Sequence, residues 1–447
     1  RIIMLAHGKY LSLRANHACA RSFATQSKKS LNEIESEYSN QTGSIDDCDT
    51  MITGFTDIYG RLMGKRMDTN FYKKSVMKSG THGCNYLLTC DMDMTPQDGF
   101  KYSNWSGGYG DFHLSPDHST FRKLSWQQNT GLVLCDITDP VSHELVPVAP
   151  RSILKNTISR CNQEFGFYAL AASELEYYIY ENSYRDLRSD NINYTLSKMK
   201  PIGDYMEDYH ILQATRSEWL NSQFRLNLRD SGVPVECTKG EAGIGQHELN
   251  IEYDNILSMC DKHVIYKQCL KEVADENGVA VTFMCKPFTD STGSGCHIHL
   301  SLWDKKSNEN VFVGDLNKGR LKGCSKEFLW FLGGWIARTP ELFPFYAPTI
   351  NSYKRFVTAS WAPTTLAWSF DNRTAGFRIV GSGNSLRIEM RICGSDVNPY
   401  LAFSASLAAG LDGIKNQIEP PNPTDDDIYS TQNLQTVPTS LEQAVAQ

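Results

Sequence analysis

Four widely separated stretches of this chain alternate in the way that defines a strand with one dry face. In CHIHLSLWD (296–304), His297, His299 and Ser301 fall on one side and Ile298, Leu300 and Leu302 on the other, because successive side chains of a strand point to opposite faces. ALAASELEYYIY (169–180) sets Glu174 and Glu176 on one face. GQHELNIEY (245–253) sets Gln246, Glu248, Asn250 and Glu252 against His247, Leu249 and Ile251, and LRIEMRIC (386–393) sets Arg387, Glu389 and Arg391 against Leu386, Ile388, Met390 and Ile392. Each dry face demands a core to pack on. Each wet face carries the residue types that bind metal or phosphate, where a strand facing water normally offers Lys, Thr and Ser.

A solvated antiparallel sheet whose charges pair across strands accounts for any one of these faces. It accounts less well for four. Carboxylates that converge within ~4–6 Å raise one another's pKa unless cations intervene. Carboxylate oxygens with one imidazole suit Mg²⁺ or Mn²⁺, and neighbouring guanidinium groups suit polyphosphate oxygens. Metals and arginines on a sheet floor describe a nucleotide-dependent phosphoryl-transfer site. The chain has neither a Walker A sequence nor a kinase signature, which disfavours the common nucleotide folds.

Length and composition narrow the setting. The 447 residues predict two domains, and a net charge of −7 argues against a nucleic-acid binder. The longest apolar run, FLWFLGGWIA, is too short to span a membrane. Thirteen cysteines, an odd number and without a C-x-x-C pair, read as reduced thiols in an intracellular compartment. Residues 1–30 carry Arg1, Lys9, Arg14, Arg21, Lys28 and Lys29 and no acid, a pattern that reads either as a mitochondrial transit peptide or as a basic disordered leader, with a cytoplasmic location the alternative.

Along the chain, MITGFTDIYGRLMGKRM and CNYLLTCDMDM suggest a small β-rich unit over 48–100, followed by a Gly-rich loop region around 104–120. Strands mix with longer helices from about Pro150. Spacing predicts helices over 205–230, stopped near Gly232, and over 255–277, stopped at Gly278. The polar, Pro-rich stretch EPPNPTDDDIYSTQ after Gly413 reads as a surface loop.

Together GSGCHIHLSLW, SELEYYIY, EAGIGQHELN, TFMCKPF, NSYKRF and LRIEMRICGSDVNPYLAFSASLAAGLDGI resemble the glutamine synthetase family, type I branch, over about residues 50–415, in the family's order and spacing. The resemblance implies an α+β fold: after the leader (1–30), an N-terminal β-grasp domain (31–145) and a larger catalytic domain of antiparallel strands and helices (146–447). It implies glutamate and an amine as substrates, ATP and two Mg²⁺ or Mn²⁺ ions per site, and a homo-oligomer of stacked rings, a dodecamer favoured. Carried over residue by residue, Glu176, Glu241 and Glu248 resemble the ligands of one ion, and Glu174, His297 and Glu389 those of the other. His299, Ser301, Arg373, Arg378 and Glu236 match the ATP contacts, with Arg373 and Arg355 in catalytic positions. Arg355, Arg391 and Gly293 match positions that hold glutamate. The reaction implied is phosphorylation of the glutamate γ-carboxylate followed by displacement of phosphate by an amine.

The chain departs from the ammonia-using pattern at three places. Where an F-D-G-S-S motif supplies an acid, it reads YSNWSGGYGDF, with Asn104 and Trp105. Six residues after Arg355, where a flap Glu stands, it has Trp361, and Thr292 replaces an Asn before Gly293. These changes make it look more like relatives that glutamylate polyamines or ethanolamine. Ordinary glutamine synthesis with a rebuilt ammonium site, and a non-catalytic relative like lengsin, are the alternatives; intact ligands speak against the latter. Tyr429 lies near a loop that some relatives adenylylate, although its flanks match poorly.

Overall fold

The computed structural model describes residues 42–189, 199–317 and 319–447; the basic leader lies outside them. Two sheets organise the chain, joined by helices.

The first sheet is built from β1 (Thr50–Thr56), β2 (Leu62–Asp68), β3 (Thr81–Cys84), β4 (Asp111–Pro116), β5 (Arg122–Leu124) and β6 (Thr130–Thr138). Its order is β2-β1-β6-β4-β3, with β5 also on β6. β1 and β2 form an antiparallel hairpin, while β1 and β6 run parallel. Two expectations need correction here. The 104–120 region is not wholly loop, because β4 lies inside it and buries Phe112 and Leu114 on one face. CNYLLTCDMDM is not a strand: pairing ends at Cys84, and Asn85–Leu88 turns into a 3₁₀ helix.

The second sheet carries the four stretches with the unusual wet face. Its strands are β7 (Phe167–Tyr180), β8 (Val235–Gly240), β9 (Gln246–Ile251), β10 (Asp254–Asn255), β11 (Ala280–Thr282), β12 (Cys296–Asp304), β13 (Trp368–Phe370), β14 (Phe377–Val380) and β15 (Arg387–Met390). The order is β13-β14-β15-β12-β7-β9-β8, with β10 and β11 also pairing β7. Every pairing is antiparallel except β13 with β14.

Helices α1 (Pro150–Arg160), α2 (Ile211–Asp230), α3 (Ile256–Glu276), α4 (Lys326–Tyr346) and α5 (Pro399–Asn416) surround this sheet. α2 begins later than the expected residue 205, and the segment before it is irregular. The left-handed Gly278 (φ +71°) follows α3, a conformation that costs an L-residue strain. The dry strand faces, with Leu175, Tyr177, Leu249, Ile298, Leu300, Ile388 and Met390, join Met259, Ile265 and Leu270 of α3 in one core. α4 and α5 approach closely because glycines meet: a Cβ on Gly334 would lie 2.3 Å from Gly413 Cα. Among the described residues, no helix is long and apolar enough to cross a membrane.

A buried arginine ties the two sheets together. Arg151 of α1 donates to Asp261 of α3 at 3.0 and 3.1 Å and pairs with Asp117 (2.9 Å) and Asp136 (2.5 Å) of the first sheet region.

Candidate active site

Strand register alone lines the wet face with reactive groups. Directly opposed residues of an antiparallel pair share a face. Arg378 of β14 faces Glu389 of β15, which faces His299 of β12. One pleat along, His297 of β12 faces Glu174 of β7. Glu176 of β7 then faces Glu248 of β9, which faces Lys239 of β8. The alternation read in single strands thus becomes a continuous row across six of them.

Two trios emerge from this row. Glu174, His297 and Glu389 each offer one ligand atom, all within 4.8 Å of one another, and so do Glu176, Glu241 and Glu248. His297 stands between them. Its Nδ1 lies 3.0 Å from Glu174 Oε2 and 3.5 Å from Glu389 Oε1, while its Nε2 lies 3.8 Å from Glu176 Oε1.

The first trio is ringed by cations. Arg378 Nη1 and Arg391 Nη1 donate to the two oxygens of Glu389 at 2.9 and 2.7 Å. Burial pushes Glu389 upward, but Arg391, His299 and Arg378 outweigh it and hold the carboxyl at about 2. His299 spans Arg387 and Glu174, its Nδ1 3.2 Å from Arg387 Nε and its Nε2 2.9 Å from Glu174 Oε1. Glu174 is held well below the usual range: its burial opposes this, and the charge of His299 and hydrogen bonds from both histidines overcome it.

The second trio is poorer in cations. Glu176 Oε2 accepts from the Gly295 amide at 2.8 Å and from Gln246 Nε2 at 3.2 Å. Lys239 pairs with Glu241 and, at 3.1 Å, with Glu248. Burial, then the Glu176 and Glu248 carboxylates, push Glu241 up to about 9.

The other expected residues divide. Glu236 of β8 lies close enough to share charge with Glu174, His299 and Arg387; burial, then Glu252 and Glu174, raise it to about 7. Gly293 and Gly295 lie against Arg355, and a Cβ on Gly295 would sit 2.6 Å from Arg355 Nη2. Arg355 itself is buried and donates to the Ile392 and Arg391 carbonyls at 2.8 and 3.1 Å, so it braces the β15 exit here. Ser301 lies farther along β12, its Oγ accepting from Trp303 Nε1 at 3.0 Å. Arg373 is exposed on the turn between β13 and β14, near the Tyr209 phenol. Trp361 is 57% exposed in the left-handed region (φ +65°). That excludes a role for it as a core anchor of this chain. Tyr429 is half-buried, its hydroxyl donating to the Ala362 carbonyl at 3.0 Å.

Sequence reading gave no role to Lys239, Gln246 or Arg387; the first two touch the second trio, and Arg387 reaches the first through His299. The signal for Lys239 was present, since T-K-G-E puts it on the same side as Glu241.

The donor set suits a hard divalent cation: five carboxylates and one imidazole, with no thiol. The repulsion and burial that push Glu241 up are the kind that a divalent cation among three carboxylates relieves.

Comparison with known proteins agrees with this geometry. The glutamine synthetase catalytic domain matches residues 147–447. A γ-glutamylethanolamide synthetase of Streptomyces coelicolor is 40% identical over 398 residues, covering 89% of this chain and 83% of that one. A glutamate–isopropylamine ligase of a Pseudomonas species is 35% identical, covering 89% and 85%. The solved structure of GmaS without ligand superimposes with a TM-score of 0.75 at 28% identity, covering 89% of this chain and 86% of that chain.

Proposed function

The chain belongs to the glutamine synthetase family, and from that premise we propose that it is an ATP-dependent ligase joining the γ-carboxylate of glutamate to an organic amine. The observation that carries the reading is the pair of trios flanking His297, with Arg378 and Arg391 converging on Glu389. We assign Glu174, His297 and Glu389 to one Mg²⁺ or Mn²⁺ and Glu176, Glu241 and Glu248 to a second. When bound, such ions draw charge off a phosphoryl group in transfer. His299, Ser301, Glu236, Arg373 and Arg378 are assigned to ATP, and Gly293, Arg355 and Arg391 to glutamate.

The chemistry needs activation because a carboxylate is a poor electrophile. Attack of its oxygen on the γ-phosphorus of ATP forms γ-glutamyl phosphate and releases ADP. The amine nitrogen then attacks the carbonyl carbon of that acyl phosphate, phosphate leaves, and the amine's proton passes to a base or to water. Arginines placed around the transferring group oppose its negative charge.

Two relatives, one named for a γ-glutamylethanolamide product and one for an isopropylamine substrate, support an organic amine. So does the replacement of the flap acid by an exposed Trp361. A stacked-ring homo-oligomer is part of the same reading, and so is a mitochondrial address for the basic leader. The test is ADP release from ATP, Mg²⁺ and glutamate against a panel of ammonium, ethanolamine, isopropylamine and polyamines. An organic amine should give the highest kcat/KM. Efficient use of ammonium with no turnover of any larger amine would return the chain to plain glutamine synthesis.

A further inference from the structure

Lys239 sits on β8 opposite Glu248 of β9 and two residues before Glu241, so the strand register puts its ammonium among these carboxylates. It pairs with both. Glu176, the third member, is satisfied by a main-chain amide and by Gln246. One tethered monovalent cation therefore faces Glu241 and Glu248, where the Ala242 amide also reaches Glu241 Oε2, at 3.3 Å. The ring of Tyr209 stands 4.9 Å from the same ammonium. Its place is set by the buried Glu207 two residues earlier, which packs so tightly on β8 that a Cβ on Gly240 would lie 2.2 Å from Glu207 Cβ.

We propose that Lys239 is a positioning residue, a built-in counter-cation that keeps Glu241 and Glu248 gathered in the metal-free protein and yields them to the divalent ion. The inference rests on the metal reading of the second trio. An ammonium and a metal ion cannot take the same carboxylate lone pairs at once. The flexible four-carbon stem of Lys lets the charge withdraw, and the Tyr209 face receives it as a cation–π partner. Loading this site is then an exchange of one cation for another. Affinity for the incoming ion is lower by the strength of the pairing it displaces.

The probe is Mn²⁺ alone, without nucleotide, followed by the electron paramagnetic resonance of the free ion. Wild-type protein should bind two ions per chain. Lys239→Met should tighten one of them roughly tenfold, the size of one charge-assisted pair, and leave the other unchanged. Lys239→Arg, which keeps the charge, should not. Metal-free Lys239→Met should also melt below the wild type, with the gap closing at saturating Mn²⁺. A general packing role for the stem would leave that gap open. Mn²⁺ affinities of Lys239→Met that are unchanged, or weaker, overturn the exchange. Failure of the wild type to bind Mn²⁺ overturns the metal reading itself. If Lys239→Met does not fold, Tyr209→Ala replaces it: losing the receiving ring should weaken the same ion about threefold, and unchanged affinity refutes the proposal.

Discussion

Replacing Trp361 with alanine tests how this site selects its amine. A Trp side chain presents ~200 Å², and at 57% exposure ~110 Å² of it stays open to a ligand. One face of that area, ~50 Å², is worth ~1.3 kcal/mol when methylenes cover it, at ~25 cal/mol per Å². The ring's attraction for the positive charge adds ~0.5–1 kcal/mol at an exposed position, but ammonium and alkylamines share that part. The apolar part alone discriminates. Trp361→Ala should therefore lower the ratio of kcat/KM for the best organic amine to that for ammonium about tenfold, with total ligase activity retained. Trp361→Glu should lower it further, because a carboxylate there both attracts ammonium and can take its proton. The assay is coupled ADP release at saturating ATP and glutamate, with each amine varied. A ratio within twofold of the wild type in Trp361→Ala would show that the ring never touches the amine, and the selectivity would have to be sought elsewhere.

Glu176→Ala should abolish glutamate-dependent phosphate release while the variant keeps its fold by circular dichroism; turnover within tenfold of wild type would remove Glu176 from the metal site. Metal binding should expel a proton. Burial and the Glu176 and Glu248 charges push Glu241 up to about 9 in the metal-free protein, so the trio holds a proton that an incoming ion must compete with, and Mn²⁺ affinity should rise with pH until about 9 and level off above it. Calorimetry in buffers of different ionisation enthalpy reads that proton directly, and a buffer-independent heat would contradict it. Arg151→Met leaves Asp117, Asp136 and Asp261 without their shared cation and should cost ~3–5 kcal/mol in denaturant unfolding; a loss below ~1 kcal/mol would mean that the tie between sheets is dispensable.

Much of this site was legible before any coordinates, for a physical reason. Alternation with period two leaves no choice of face, so His297, His299, Glu174, Glu176, Glu248 and Glu389 could each be set on a wet side from neighbours such as Ile298, Leu175, Leu249 and Ile388. Which strands lie side by side is a tertiary matter, and only the resemblance to a family supplied it. Lys239 escaped notice because a lysine on a strand reads by default as solvated. β4 escaped because Gly110 and Pro116 bracket it with turn residues, although Phe112 and Leu114 alternate correctly within. The residues before α2 were read as helix, yet Glu207 is buried by tight packing on Gly240 that a helix starting at 205 would not follow from sequence alone. Arg355 was assigned by motif to substrate, and nothing local in NSYKRF shows that its guanidinium also braces the carbonyls of Arg391 and Ile392.

The row of groups across β14, β15, β12, β7, β9 and β8 also has a kinetic meaning. His297 and Glu174 touch across 123 residues of chain, and Arg391 reaches His297 across 94. Contacts so distant in sequence close late, because the chain must lose a long loop's freedom before any of them returns stabilisation. Helices, the β1–β2 hairpin and the β7–β9–β8 pairing that gathers the second trio can form while β12 is still unpaired, but the first trio does not exist until β12 has zipped against β7 on one side and β15 on the other. Ion capture at the first trio during refolding is thus a clock for the last stage of assembly, and a nascent chain has no complete first trio to offer until β15, near residue 390, has emerged.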